Sequence, residues 1–182
     1  ADAYAVLASI GAPVDNLQIS ADAPAWYHPG RSGTLRLGKT VLAWFGEIHP
    51  KILRRLGDRG PAAGFEIFLD HVPQPKQRGG KARPPLKASS FQPVHRDFAF
   101  VVEATVSADQ ILRAARTVDR NLITDAGVFD VYEGESLGAD KKSVAIWLTL
   151  QPTEQTLTDE EIDTVAAKVI ANVEKQTGGA LR

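Results

Sequence analysis

Asp130 and Tyr132 stand two residues apart in the run F-D-V-Y-E-G, Phe129 to Gly134, and on a strand that spacing puts both side chains on one face. A carboxylate accepts hydrogen bonds and a phenol ring offers a flat π-surface, so the pair suits a planar, hydrogen-bonding partner such as an unpaired nucleobase. A second alternating run, S-V-A-I-W-L-T-L, begins at Ser143 and sends Ser143, Ala145, Trp147 and Thr149 to one side. If the two runs pair as a hairpin, Ser143 adds a donor and acceptor beside the Tyr132 ring. A third run places Asp97, Ala99 and Val101 on the same side, and the small residues would let a single strand approach closely. Arg96, Lys141, Lys142 and Arg182 fall at strand ends, where cations can meet phosphates. The competing reading of the same parity is that Tyr132 and Trp147 are ordinary sheet aromatics, packed across strands or covered by a neighbouring domain.

The other chemistry-bearing residues point to little. The absence of cysteine excludes disulfides, thiolate metal sites and a cysteine nucleophile together. His28, His49, His71 and His95 have no short metal-ligand spacing, and no metal site is expected. In H-P-G-R (His28 to Arg31) an arginine beside a glycine can clamp an anion, but a turn set by Pro29 and Gly30 is the simpler expectation. Gly79 and Gly80 lack the strand-then-helix context of a phosphate loop. The acids Asp159 to Glu161 open a helix, where the macrodipole favours negative charge. No nucleophile, base and orienter come together, so a free-standing enzyme is not expected.

The elements that must position the open-face residues can be read from periodicity. Phe98, Phe100 and Val102 alternate in a strand over about 97–106. Ser107 and Gln110 form a capping box for a helix carrying Ile111, Leu112, Ala115 and Val118. Strands follow over 128–133, with Phe129 and Val131 facing inward, and over 143–151, joined by the loop 134–141. Thr158 and Glu161 cap a second helix whose stripe runs Ile162, Val165, Ala166, Val169, Ile170 and Val173 to a stop at Gly178 and Gly179. Residues 180–182 can add a short strand. The order β-α-β-β-α-β is the split βαβ plan, with two helices on one face of an antiparallel sheet and the other face bare.

Upstream, 40–48 and 64–69 read as strands, 51–56 as a short helix and Tyr4 to Ile10 as a helix end, a set in which the expected strands lack partners. Between the two parts, 73–90 holds four prolines, two adjacent glycines and five Lys/Arg without an acid or an aromatic, the composition of an extended linker. The expected division is therefore 1–72, a linker 73–90, and 91–182. With 43% hydrophobic and 24% charged residues the composition suits packed globular domains. No run approaches a bilayer-spanning helix and the opening residues do not resemble a signal, so a cytoplasmic protein without membrane attachment is expected. The absence of methionine suggests an excised piece of a longer chain. The net charge of −1 conceals +4 through Leu86 and −5 thereafter, so the open sheet belongs to an acidic unit and would bind a nucleic acid through shape, stacking and local cations.

Residues 91–182 resemble the ferredoxin-fold anticodon-binding domain of bacterial phenylalanyl-tRNA synthetase β subunits, through F-Q-P-V-H-R-D-F-A-F-V-V (Phe91 to Val102), F-D-V-Y-E-G, K-K-S (Lys141 to Ser143), T-L-T-D-E-E (Thr156 to Glu161) and a closing L-R. Residues 1–72 are similar to the end of that subunit's catalytic-like module, a class II synthetase-like α/β unit without activity, through H-P-G-R-S, G-E-I-H-P (Gly46 to Pro50) and F-E-I-F-L (Phe65 to Leu69). The resemblance implies an α+β chain whose open sheet takes the anticodon of tRNA(Phe), with Tyr132 stacking on a base and Asp130 and Ser143 hydrogen-bonding to bases. It implies a catalytic α subunit as partner, no cofactor in this chain, and ATP and magnesium in the complete ligase. The alternative is a ferredoxin-like module that docks another subunit through the same sheet face.

Overall fold

The computed structural model describes residues 2–74, 88–138 and 140–182, so most of the expected linker lies outside the described residues. The chain divides into two compact units, Ala1–Arg83 and Pro84–Arg182.

In the first unit, α1 (Asp2–Ser9) precedes four strands, β1 (Gln18–Ser20), β2 (Tyr27–Leu37), β3 (Thr40–Ile48) and β4 (Ala63–Ile67), with α2 (Pro50–Arg55) between the last two. The strands form one antiparallel sheet in the order β1-β2-β3-β4. The strands expected to lack partners therefore have them. β2 escapes a periodicity reading because Pro29, Gly30 and Gly33 interrupt its alternation, and the pairing register slips between Tyr27 and Ser32. H-P-G-R is thus an irregularity within a strand rather than a free turn: the His28 ring accepts from the Gly30 amide at 3.1 Å, and the Ser32 hydroxyl donates to the His28 carbonyl at 2.7 Å. Arg31 donates to both Glu47 carboxylate oxygens, at 3.1 and 3.0 Å. The β2–β3 turn has Gly38 at φ +58°, which glycine adopts without steric cost. Leu7, Leu35, Leu42 and Ala43 form the core against α1. Tyr27 and Trp26 both donate to the same Glu66 oxygen at 3.0 Å. Burial, reinforced by that carboxylate, pushes the Tyr27 phenol up to about 12.

The second unit runs β5 (Val94–Glu103), α3 (Ala108–Arg116), β6 (Ile123–Tyr132), β7 (Lys141–Leu150), α4 (Asp159–Thr177) and β8 (Ala180–Leu181). Its sheet has the order β6-β7-β5-β8, antiparallel throughout, which is the split βαβ plan. Phe98, Phe100 and Val102 pack with Val144, Ile146 and Leu148 against Ile111, Ala114 and Ala115 of α3 and Ile162, Val169 and Val173 of α4. Both capping boxes are present: Ser107 accepts from the Gln110 amide at 3.2 Å and Gln110 accepts from the Ser107 amide at 2.8 Å, while Thr158 and Glu161 repeat the exchange at 3.3 and 2.8 Å. Gly178 ends α4 in the left-handed conformation, φ +68°.

One part of the inward reading fails. Phe129 and Val131 are 57% and 49% exposed and stand outside the core. The register slips between Val128 and Asp130, leaving Phe129 as an extra residue on the edge strand. Val131 pairs opposite Val144 and so points to the helix side, past the cover that the helices provide. β6 also starts five residues before the expected strand, because a second slip between Ile123 and Asp125 hides its alternation.

Candidate nucleic-acid interface

Cross-strand register settles which side chains share the open face. Tyr132 lies opposite Ser143, which lies opposite Val101; Asp130 lies opposite Ala145, which lies opposite Ala99. Directly opposed residues project to the same side of a sheet, so Asp130, Tyr132, Ser143, Ala145, Ala99 and Val101 form two adjacent rows on the face away from the helices. One row further, Gly127, Trp147 and Asp97 are opposed in the same way. Beyond Trp147, Thr149 and His95 face each other with the hydroxyl 3.2 Å from the ring nitrogen. The slip at Phe129 is what returns Asp130 and Tyr132 to this parity together.

The rings are differently disposed. Tyr132 is 43% exposed. Trp147 is half-buried, and a Cβ built at Gly127 would fall 2.6, 2.7 and 2.8 Å from three consecutive indole atoms, Cζ2, Cε2 and Nε1. Near-equal distances to three ring atoms mean that the indole lies flat on the glycine across the strand pair. Ser143 is on the expected face but only 4% exposed, set between Val101 and Tyr132. Ala99 is half-buried in the middle of the face.

The four cations separate. Arg182 donates its backbone amide to the Ala99 carbonyl at 2.8 Å, and its guanidinium carbon sits 5.7 Å from the centre of the Tyr132 ring. Tyr132 and Arg182 come from opposite edges of the sheet, and alanines at 99 and 145 leave the space between them open. Lys141 is exposed on the open face opposite Glu103. Arg96 and Lys142 are not part of this surface. They lie opposite Leu148 and Val102, both core residues, and therefore project from the helix side. Lys142 donates to the Ala104 carbonyl at 2.8 Å, and Arg96 lies beside the seam between the sheet and α4. An odd-numbered offset along each strand separates them from the open-face set, a distinction that their position near strand ends had masked.

Two contributors were not legible beforehand, Gly127 and Gly134, each lying under an aromatic ring. Gly134 follows Tyr132 by two in the chain, where the sequence reads it only as the start of the loop 134–141. Gly127 escapes because its opposition to Trp147 depends on the register slip at Phe129. Among the described residues, no three His, Asp or Glu side chains gather as metal ligands, and no helix is long and apolar enough to cross a membrane.

A four-stranded antiparallel sheet with helices on one face, and aromatic, small and polar residues on the other, makes this unit an α+β, ferredoxin-like domain with one sheet face open. Residues 89–182 match the family described as ferredoxin-fold anticodon binding domain, and residues 1–69 match that described as phenylalanyl tRNA synthetase beta chain CLM domain. The chain belongs to the ferredoxin-fold anticodon-binding family of phenylalanyl-tRNA synthetase β chains. Over its whole length it is similar to the phenylalanine–tRNA ligase β subunits of Rhodospirillum rubrum (58% identical), Mesorhizobium japonicum (57%) and Brucella abortus (49%). It spans 23% of the length of each of these relatives.

Proposed function

We propose that this chain is the anticodon-reading part of a phenylalanine–tRNA ligase β subunit, gripping the anticodon of tRNA(Phe) on the open face of β5 to β8. The observation that carries the reading is the half-exposed Tyr132 ring with Ser143 directly opposite and Asp130 two residues away on the same face. The ring stacks on a base, the carboxylate accepts from a base amino or imino group, and the serine hydroxyl completes the contact. Ala99 and Ala145 leave the depth that a splayed-out nucleotide needs. The first unit, similar to a β-chain domain, helps hold the catalytic α subunit; Ile19, Phe65 and Leu69 are exposed apolar residues that such a partner would cover. Activation of phenylalanine, with its ATP and magnesium, belongs to that α subunit in the cytoplasm.

The test is to measure binding of tRNA(Phe), and of a transcript with an altered anticodon, to the 182-residue chain with and without Tyr132→Ala. Loss of the ring costs about 1–3 kcal/mol of affinity, and the altered anticodon binds more weakly. Affinity indifferent to both changes refutes anticodon binding and leaves the sheet face as a docking surface for protein.

A further inference from the structure

The hydroxyl end of the Tyr132 ring comes down on Gly134, and the chain makes room for it with a residue that has no side chain. A Cβ built at Gly134 would fall 2.5 Å from Cζ and 2.8 Å from Cε1 of the Tyr132 ring, and nearer still to its hydroxyl oxygen. Real side chains do not tolerate such distances, so the ring occupies the volume that any other residue at 134 would fill. The opposite end of the same face repeats the device, with the Trp147 indole laid on Gly127. Neither glycine has a positive φ, so neither is required by the backbone conformation. Room for a ring is the property that the two positions share.

We propose that Gly134 is a positioning residue for anticodon binding: its missing Cβ seats the Tyr132 ring in the orientation that receives a base, while the backbone itself would accept alanine. The proposal rests on the reading of Tyr132 as the stacking platform, and extends it to a residue that touches no RNA. Adding a methyl at 134 meets the far end of a side chain that can rotate about χ1, so the ring swings away and the fold persists. The arrangement also explains why Tyr132 is only partly exposed although it ends an edge strand: the hydroxyl end of the ring abuts Gly134 and the guanidinium of Arg182 stands over one of its faces.

The experiment uses the 182-residue chain with ¹³C-labelled tyrosine rings. Tyr4, Tyr27 and Tyr132 give three sets of ring signals, assigned by Tyr132→Phe. In Gly134→Ala the Tyr132 signals move while those of Tyr4 and Tyr27 stay, and affinity for tRNA(Phe) falls about 5- to 150-fold, the same range as for Tyr132→Ala. The double variant Gly134→Ala/Tyr132→Ala loses nothing further. Tyr132→Phe in the Gly134→Ala background deletes the atom nearest the added methyl and restores part of the affinity, which a general loss of fold would not allow. The proposal is overturned if the Tyr132 signals stay in place in Gly134→Ala, or if affinity falls without their moving. Unchanged affinity in Tyr132→Ala instead overturns the stacking reading, and with it any consequence of Gly134 for binding.

Discussion

Replacing Arg182 separates two ways in which a cation can serve an RNA-binding face. As a phosphate ligand, it would act through charge alone. As found, its guanidinium carbon lies 5.7 Å from the Tyr132 ring centre, within cation–π range, while the Ala99 carbonyl holds its backbone amide. The side chain reaches toward a ring on the far edge strand, a separation of about three strand spacings, or ~14 Å between backbones. Arg182→Ala keeps the backbone bond and removes the guanidinium. An exposed cation–π contact contributes about 0.5–1 kcal/mol, and to the extent that it presets the ring for a base its loss should lower affinity for tRNA(Phe), by at most about 2- to 5-fold. Arg182→Lys keeps the charge but not the planar stacking group, and should lose nearly as much.

The assay is the salt dependence of tRNA(Phe) binding. A cation that neutralises a phosphate of a single strand contributes about 0.7 to the slope of log affinity against log salt. If Arg182 met a phosphate, a fourfold rise in salt would change the ratio of wild-type to variant affinity by about 2.6-fold. With the guanidinium committed to the ring, the two salt plots should run parallel. Convergence of the plots at high salt, together with full affinity in Arg182→Lys, would refute the assignment and return Arg182 to phosphate binding.

Arg96→Ala and Lys142→Ala should leave anticodon affinity unchanged in the same assay, because both side chains leave the sheet on the helix side; a loss as large as that of Arg182→Ala would mean that RNA wraps around the edge of the sheet. At the start of α4, hydrogen bonds from Thr158 hold the Glu161 carboxyl below its usual 4.5. A carboxyl depressed in the folded state stabilises it at neutral pH, and that contribution is lost as pH falls through the lowered value. Thermal unfolding of the chain should therefore show a gap between wild type and Glu161→Gln that is constant above about pH 6, narrows as pH falls past 4.5 and closes once pH is below the lowered value. A gap that does not change with pH would assign the effect to packing.

How much of this is legible in the sequence follows the physics of each signal. The C-terminal unit declared itself because its helices open with side chains that must satisfy their own first amides, Ser107 with Gln110 and Thr158 with Glu161, and its β5 and β7 alternate without interruption. Parity along uninterrupted strands was enough to put Ala99, Ser143 and Trp147 on one face. It misplaced Phe129 and Val131 because a slip in register and the limited reach of the helices are properties of pairing and packing, not of the strand's own residues. Arg96 and Lys142 were grouped with Arg182 by charge and by nearness to strand ends, although the alternation that sorted their neighbours sends both to the other side. In the first unit β2 was hidden by its own prolyl and glycyl irregularity, and with it the sheet that pairs β3 and β4.

The sign of the charge then bears on how such a face can discriminate. The half of the sequence after Leu86 carries −5, so attraction for a polyanion is not the source of its affinity, and Asp130 stands on the β6 edge of the surface, beside Tyr132, where a phosphate would be repelled. A carboxylate placed there is useful only toward groups that donate, and on a nucleic acid those are base amino and imino hydrogens and the ribose hydroxyl. An acidic face of this kind rejects backbone contacts that carry no sequence information and retains contacts to base edges, which makes it a weak binder of RNA in general and a selective reader of the strand that fits. On the proposed anticodon-binding reading, the rest of the affinity comes from contacts outside this chain, and a shallow salt dependence of the chain's own binding is the expected mark of that division of labour.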